Sequence, residues 1–453
     1  MERSLPSIPD LIHKLREQGV HSLFAQFTDI HGIAKGKFVP LARLGDLVED
    51  GAGFSGPSIW GTGLPRFGPS SEYYGRAVLD TVQALPWMPG YARVVVDGFV
   101  AGRPFEACPR QVLKRQVARL DERGWKLNVG IEPEFFLFRR DPDGRPLPLA
   151  LDPADTLDKP SYDYQTLSRG RPFLDRLIPM LTTLGFGLEQ VDHEDANGQF
   201  EINYRHDHAL EAADRLMLFK MAAHGVAESL GLVFSLMPKP FADQPGSGLH
   251  FHLSLEDESG RMVMKDAKAP ERLDLSLVGQ QFLAGLLAHA GGLTALCAPT
   301  VNSYKRLCAG AARSGSTWVP GLALYGDNNR STLARITAGR IEWRVPDGTC
   351  NPYLALAGVI AAGLDGIERG LDPGAPVDGD IGSWSAEQRE RHGSARLPAT
   401  LAEAVGALAA DPLLGRALGG TVIEQFVAIK HDEWSDYRRR VSEWEFEHTL
   451  WRY

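Results

Sequence analysis

Cysteine is scarce: 453 residues carry 4, namely Cys108, Cys297, Cys308 and Cys350, and no CxxC spacing. That excludes a disulfide framework and a zinc knuckle, and leaves reduced thiols. Long apolar runs are missing too. No stretch reaches the roughly 18 apolar residues a membrane span needs, and the N-terminal stretch alternates charge with single hydrophobes. Neither a span nor a signal peptide is expected, and the expected location is the cytoplasm. Dense basic clusters are also absent, the KHDEWSDYRRR stretch being mixed in sign. With 48 Lys plus Arg against 57 Asp plus Glu, a net charge of −9, nucleic acid is not the expected ligand. The 43% hydrophobic and 23% charged fractions exclude disordered and collagen-like chains.

The length predicts two domains. SIPDLIHKLREQGV has apolar residues at helical spacing behind a capping Ser, and HSLFAQFTDIHGIAKGKFVPL reads as two strands turning at His31 and Gly32. A Gly, Ser and Pro-rich stretch from Gly51 to Tyr74, with Trp60, Phe67 and Tyr73 expected at the surface, describes a functional loop. Strands resume at YARVVVDGF, and Pro104 leads through CPRQVLKR into a helix, so the boundary is set at 1–107 and 108–453. The second part predicts helices near 171–185, 208–231, 275–295, 351–369 and 422–445. Strands are expected at LNVGIEPEFFLFR and at 199–204, 232–237, 248–255 and 333–345. Polar residues planted inside those strands suggest an antiparallel or mixed sheet with one face lining a cavity.

The chemistry lies in those strands. In IEPEFFLF, Glu132 and Glu134 are two apart, so both carboxylates leave one face while Phe135 and Leu137 pack behind. Alone, such a pair reads as a solvated strand face, and more acids must converge before a metal is expected. In DHEDANGQFEINY, Glu194 ends one segment, Asn197 and Gly198 turn, and Glu201 enters the next strand. GSGLHFHLSL adds His250 and His252 after a Gly-Ser-Gly stretch that lets backbone come close to a ligand, although a buried structural His is the plain alternative. RIEWRVPDG puts Arg340, Glu342 and Arg344 on one face, a mixture that a core would not accept. Carboxylates with one imidazole and no thiolate suit a pair of hard divalent cations, Mg²⁺ or Mn²⁺. Lys305 and Arg306 in NSYKRL, with Arg330 and Arg335 in DNNRSTLARI, add cations fit for phosphate and carboxylate groups, unless they form surface ion pairs.

Taken in order, EPEFFLF, HEDANGQFEIN, MPKPF, GSGLHFHLSL, NSYKRL, NNRSTLARI and RIEWRVPDGTCNPYLALAGVIAAGLDGI resemble the glutamine synthetase family. FTDIHGIAKGKF and LPW agree more loosely. The resemblance implies an α+β fold: a small β-grasp N-terminal domain, then a catalytic domain whose curved antiparallel sheet forms half of a barrel-like, two-ended active site. It implies that Glu134, Glu194 and Glu201 hold one metal, and Glu132, His250 and Glu342 a second. It further implies ATP contacts at Glu189, His252, Ser254 and Arg340, glutamate contacts at Gly246, Arg306 and Arg344, and phosphoryl stabilisation by Arg330 and Arg335. The implied reaction activates the γ-carboxylate of glutamate with ATP as a γ-glutamyl phosphate, which a nitrogen nucleophile then converts to an amide. The implied assembly is a homo-oligomer, a dodecamer of two stacked hexamers, with loop 51–74 completing a neighbour's site.

Departures from the family set the expected nucleophile. Ammonium-using members carry an acid in each of two loops, where this chain has the FSGPS segment with Ser55, and Ala312. No acid occurs between Gly51 and Ser71 or between Cys308 and Gly326. An amine carrying carbon is therefore expected, methylamine first, in a pocket beside Glu194 lined by small or apolar groups and free of replacement carboxylates. The resemblance is to the branch that includes γ-glutamylmethylamide synthetases. Pro245 stands where many members have Asn, and no Tyr occurs between Gly370 and Leu397, which removes the expectation of adenylylation. The alternatives are an ammonia-using glutamine synthetase, a ligase for another small amine or polyamine, and a non-catalytic structural or regulatory relative.

Overall fold

The computed structural model describes residues 7–141, 149–152, 157, 159–307, 321–385, 387–388 and 395–453. Ala312 and Cys308 lie outside them. The first helix, Ile8–Glu17, starts where Ser7 accepts from the Asp10 amide and buries Leu11 and Leu15. Strands β1 (Ser22–Thr28) and β2 (Ala34–Pro40) form the expected hairpin, turning through Gly32 at φ 76°. There a Cβ would lie 2.8 Å from the Cys350 carbonyl, so only glycine lets this turn sit on the second half of the chain.

Strands β3 (Ala52–Ser55), β4 (Glu72–Ala77), β5 (Gln83–Ala84), β6 (Tyr91–Val100) and β7 (Arg103–Pro104) complete the first sheet, whose main path runs β2-β1-β6-β4-β3. Among the described residues β1 runs parallel to β6, and the other pairs of this sheet are antiparallel. The stretch 51–74 differs from its expectation at Tyr73. That ring is buried, packed on Phe27, Phe54 and Phe105, because strand alternation turns it inward, whereas Trp60 and Phe67 stand exposed.

The second sheet is built around β8 (Trp125–Arg139). Its other strands are β9 (Leu149–Ala150), β10 (Leu188–His193), β11 (Gln199–Tyr204), β12 (Asp207–His208), β13 (Leu232–Ser235), β14 (Leu249–Asp257), β15 (Tyr325–Asp327), β16 (Ala334–Thr337) and β17 (Arg340–Trp343). The order is β10-β11-β8-β14-β17-β16-β15, antiparallel except for the β15–β16 pair. Helices Pro109–Asp121 and Ala209–Ser229 pack on β8, and Leu277–Ala288 and Pro352–Arg369 pack behind them, leaving the opposite face open. Among the described residues no helix is long and apolar enough to cross a membrane.

Three predicted elements are broken, one of them the helix expected over 422–445, which ends at Arg438 and resumes over Glu443–Thr449. The helix expected over 275–295 divides into Leu277–Ala288 and Ala290–Cys297 at His289, whose ring is held by Asp411 at 2.6 Å and Asp365 at 3.0 Å. The strand expected over 333–345 divides into β16 and β17 at Ala338 and Gly339, both at positive φ, 52° and 74°.

A buried charge network joins the sheets. Arg110 bridges Asp97 of β6 at 2.7 Å and Asp214 at 2.9 Å, Arg93 of β6 donates to the Asp214 carbonyl, and Tyr353 donates to the Asp214 carboxylate at 2.7 Å. Such a network contributes little net stability but fixes geometry, because removing one partner strands its buried counter-charge.

Candidate active site

Strand alternation places the acids. Glu132 and Glu134 of β8 point to the open face, with Phe135 and Leu137 fully buried behind. Pairing then lines up partners across the sheet: Glu201 of β11 opposite Glu134, His250 of β14 opposite Glu132, His252 opposite Glu342 of β17, and Glu342 opposite Arg335 of β16. Glu194 follows β10 directly, its amide bonded to the Gln199 carbonyl at 2.9 Å across the turn that Gly198 makes at φ 72°.

One oxygen or nitrogen each from Glu132, His250 and Glu342 lie within 4.8 Å of one another, a spacing that a single cation can bridge. His250 Nδ1 is 3.5 Å from both Glu132 Oε2 and Glu342 Oε1, and its Nε2 is 3.8 Å from Glu134 Oε1. Gly248 must lack a side chain here, since a Cβ would lie 2.7 Å from His250 Nε2 and 3.2 Å from Glu134 Oε1. Its amide instead donates to Glu134 Oε2 at 2.8 Å.

The acids divide electrostatically. Burial opposes the charge on Glu132, but hydrogen bonds from His250 and His252 outweigh it and hold the carboxyl well below the usual range. Glu342 is 1% exposed, and its charge survives burial through His250, Arg344, His252 and Arg335. Glu194 behaves oppositely: burial first, then Glu134 and Asp192, push it up to about 8. Glu201 is raised well above its ordinary value by burial and by Glu134, Glu132 and Glu194. The raised Glu194 and Glu201 crowd against Glu134, an arrangement a cation would relieve, and Glu132, His250 and Glu342 offer the donor atoms of a hard divalent ion.

Two cavities meet at this point. The first, about 490 Å³, is lined by all of Glu132, Glu134, Glu194, Glu201, His250 and Glu342, together with Gly246, Arg306, Arg330, Arg335 and Arg344. The second, about 450 Å³, is lined by Glu132, Glu189, His252, Ser254 and Arg340. Glu132 and Asn203 belong to both walls. Arg340 donates to His252 Nδ1 at 3.2 Å, while His252 Nε2 lies 2.9 Å from Glu132 Oε1, linking the second cavity to the acid cluster. Arg306 is buried and donates to the carbonyls of Val345 and Pro346, and Arg344 is buried against Glu342.

Ser55 lines neither cavity of its own chain, because it ends edge strand β3, exposed and bonded to Ser58. The expected carboxylate-free pocket beside Glu194 is corrected by the structure: Asp192 and Asp195 both line that cavity. Asp192 pairs with Glu201 in the β10–β11 ladder, which turns its side chain to the same face. They flank His193 and Glu194 in the same motif, where spacing alone gives them no role. Nor does it give one to Gln199, Asn203, Lys239 and Tyr162, which line the first cavity, or to Lys265, which lines the second.

Comparison with known proteins agrees with this geometry. Residues 106–449 match the family model for the glutamine synthetase catalytic domain. The chain is 48% identical to a glutamate–methylamine ligase of Methyloversatilis universalis, over 95% of this chain and 96% of that one. It is 38% identical to a glutamine synthetase of Rhizobium leguminosarum bv. phaseoli, over 97% and 99%. A solved complex of GmaS with ADP superposes with a TM-score of 0.89 at 41% identity, covering 97% of this chain and 99% of that one. With most of its length matched in sequence and in fold, the chain belongs to the glutamine synthetase family.

Proposed function

We propose that this chain joins the γ-carboxylate of L-glutamate to methylamine, converting ATP to ADP and phosphate through a γ-glutamyl phosphate. The observation that carries the ligase chemistry is the meeting of two cavities at Glu132, with acids and His250 at the junction and arginines on one side. The choice of methylamine is supported by the glutamate–methylamine ligase relative and by the acid-free segments around Ser55 and Ala312.

ATP enters the second cavity, where Glu189, His252, Ser254 and Arg340 contact the nucleotide and its phosphates point toward Glu132. Glutamate enters the first, gripped by Arg306 and Arg344 and by the backbone at Gly246. Glu134, Glu194 and Glu201 would hold one Mg²⁺ or Mn²⁺, and Glu132, His250 and Glu342 another. Bound there, the ions would screen the phosphate charge and align the γ-phosphorus for in-line attack. A γ-carboxylate oxygen of glutamate attacks that phosphorus and ADP leaves. Arg330 and Arg335 meet the charge that grows on the phosphoryl oxygens, an interaction strongest in the transition state. The amine nitrogen then attacks the acyl carbon, phosphate leaves with its electron pair, and the nitrogen gives up a proton.

The division at 107/108 follows the end of the first sheet at Pro104 and the helix start at Pro109. Exposed Trp60, at 64%, and Phe67, at 83%, together with the position of Ser55 outside its own cavities, support a ring in which loop 51–74 reaches a neighbour's site, as in a dodecamer. A cytoplasmic location follows from the substrates. Asp192 and Asp195 favour a cation, which methylammonium and ammonium both are, so ammonia is kept as the second reading by the glutamine synthetase relatives.

The test is oxygen transfer. Glutamate labelled with ¹⁸O in its γ-carboxylate, incubated with ATP and methylamine, should give γ-glutamylmethylamide and one ¹⁸O in each phosphate released. Unlabelled phosphate would rule out the acyl phosphate.

A further inference from the structure

Side chains alternate along a strand, so β11 presents Gln199, Glu201 and Asn203 on one face. Neutral carboxamides thus flank a single acid, and each donates to a carboxylate of β8. Asn203 Nδ2 reaches Glu132 Oε1 at 3.4 Å, and Gln199 Nε2 reaches Glu134 Oε2 at 3.3 Å. Gln199 has two more partners. It is 1% exposed, and the same nitrogen lies 3.2 Å from both the Gly246 carbonyl and Ser247 Oγ.

We propose that Gln199 is a positioning residue that ties cation binding at Glu134 to the setting of the Gly246–Ser247 segment, and so couples metal affinity to glutamate recognition. The inference rests on the reading above, in which Glu134 is a cation ligand and Gly246 a glutamate contact. An amide suits the task. Lysine or arginine would neutralise Glu134 and compete with the cation, whereas an apolar side chain would leave the carboxylate to the Gly248 amide.

The direction of coupling follows from counting hydrogens. A carboxamide nitrogen carries two, and here three acceptors share them. A carboxylate whose lone pairs face a cation is a weaker acceptor, so the hydrogens pass to Gly246 and Ser247 and hold that segment against the substrate. By linkage, glutamate then tightens the cation by the same factor.

The probe is Mn²⁺ alone, titrated calorimetrically into the full chain with and without saturating glutamate. In the unmodified protein glutamate should tighten Mn²⁺ about fivefold or more. Gln199→Met should weaken Mn²⁺ at one site about 10–100-fold, lose most of the tightening, and raise KM for glutamate while KM for ATP stays within about twofold. Ser247→Ala removes one acceptor without touching Glu134. It should leave Mn²⁺ affinity without glutamate within about twofold and still reduce the tightening, which keeps the test open if Gln199→Met does not fold. Unchanged Mn²⁺ affinity and unchanged KM for glutamate in a folded Gln199→Met overturn the proposal, as does an equal rise in both KM values, the mark of general loosening. If amide forms but glutamate never changes Mn²⁺ affinity, the coupling falls and the ligase reading stands. If no amide forms and Gln199→Met still weakens Mn²⁺, the ligase reading falls and the role of Gln199 at the metal stands.

Discussion

Arg335 Nη1 donates to Glu342 Oε2 at 2.7 Å, across the β16–β17 ladder in which the two residues are direct partners. A cation of the protein itself therefore occupies a carboxylate that faces His250 and Glu132. A divalent ion held by Glu132, His250 and Glu342 would compete with Arg335 for Glu342, and Arg335, still held by Asn328, would then be available to a phosphoryl group. Arg335→Ala should then leave Mn²⁺ affinity equal or stronger while turnover falls by about 10²–10³. Parallel Mn²⁺ titration and steady-state assays check this. A tenfold loss of Mn²⁺ affinity would instead make Arg335 a support for Glu342.

Arg330→Ala should depress kcat far more than it changes KM for ATP or glutamate, since its partner charge develops only as the phosphoryl group transfers. Steady-state kinetics with each substrate varied in turn decides it. A raised KM for glutamate with unchanged kcat would make Arg330 a binding residue.

The crowded acids predict a pH signature in metal-free protein. Glu194 is raised from 4.5 unfolded to about 8 folded, so its contribution to stability is full below pH 4.5 and is lost as pH rises through 8. The acids lowered in the folded state, Glu132 and Glu342, have already made their contribution above their unfolded value and do not vary in that upper window. The melting temperature with a chelator should therefore fall between pH 4.5 and about 8 and level off above, and Mn²⁺ should restore it increasingly as pH rises. A melting temperature that is flat in pH and insensitive to Mn²⁺ would contradict a metal at Glu194.

Much of this site was legible in the sequence because a strand repeats every two residues. Glu132 with Glu134 and His250 with His252 could be assigned faces from spacing alone, and the ladder brings both pairs to one rim. The turn at Asn197 and Gly198 placed Glu194 and Glu201 by the same local logic. Other features depended on tertiary partners. His289, where a helix divides, is held by Asp365 of a distant helix and by Asp411 at the cap of another, and no periodicity encodes that. Asp192 reaches the cavity through the β10–β11 ladder and Asp195 through the turn that follows, which depends on strand pairing. Gln199 is neutral and carries no charge signal, so its part emerges only from its hydrogen bonds. The motif around Ser55 predicts a pocket residue, but within its own chain Ser55 is exposed at the end of edge strand β3.

Loop 51–74 gives a prediction about assembly. If exposed Trp60 and Phe67 are covered by a neighbouring copy, light scattering should show a ring-sized oligomer, and Trp60→Glu with Phe67→Glu should dissociate it and abolish turnover together. A fully active monomer would show that each chain completes its own site.

The central claim is the nucleophile, and competition between amines tests it most directly. With ATP, glutamate and Mn²⁺ saturating, methylamine and ammonium are supplied together at matched free-amine concentrations and both amides are quantified. The account predicts that γ-glutamylmethylamide dominates, and that Ser55→Asp with Ala312→Glu shifts the ratio toward glutamine by about 1–3 kcal/mol. A preference for glutamine in the unmodified protein would contradict it, and would make Asp192 and Asp195 the substitutes for the missing acids.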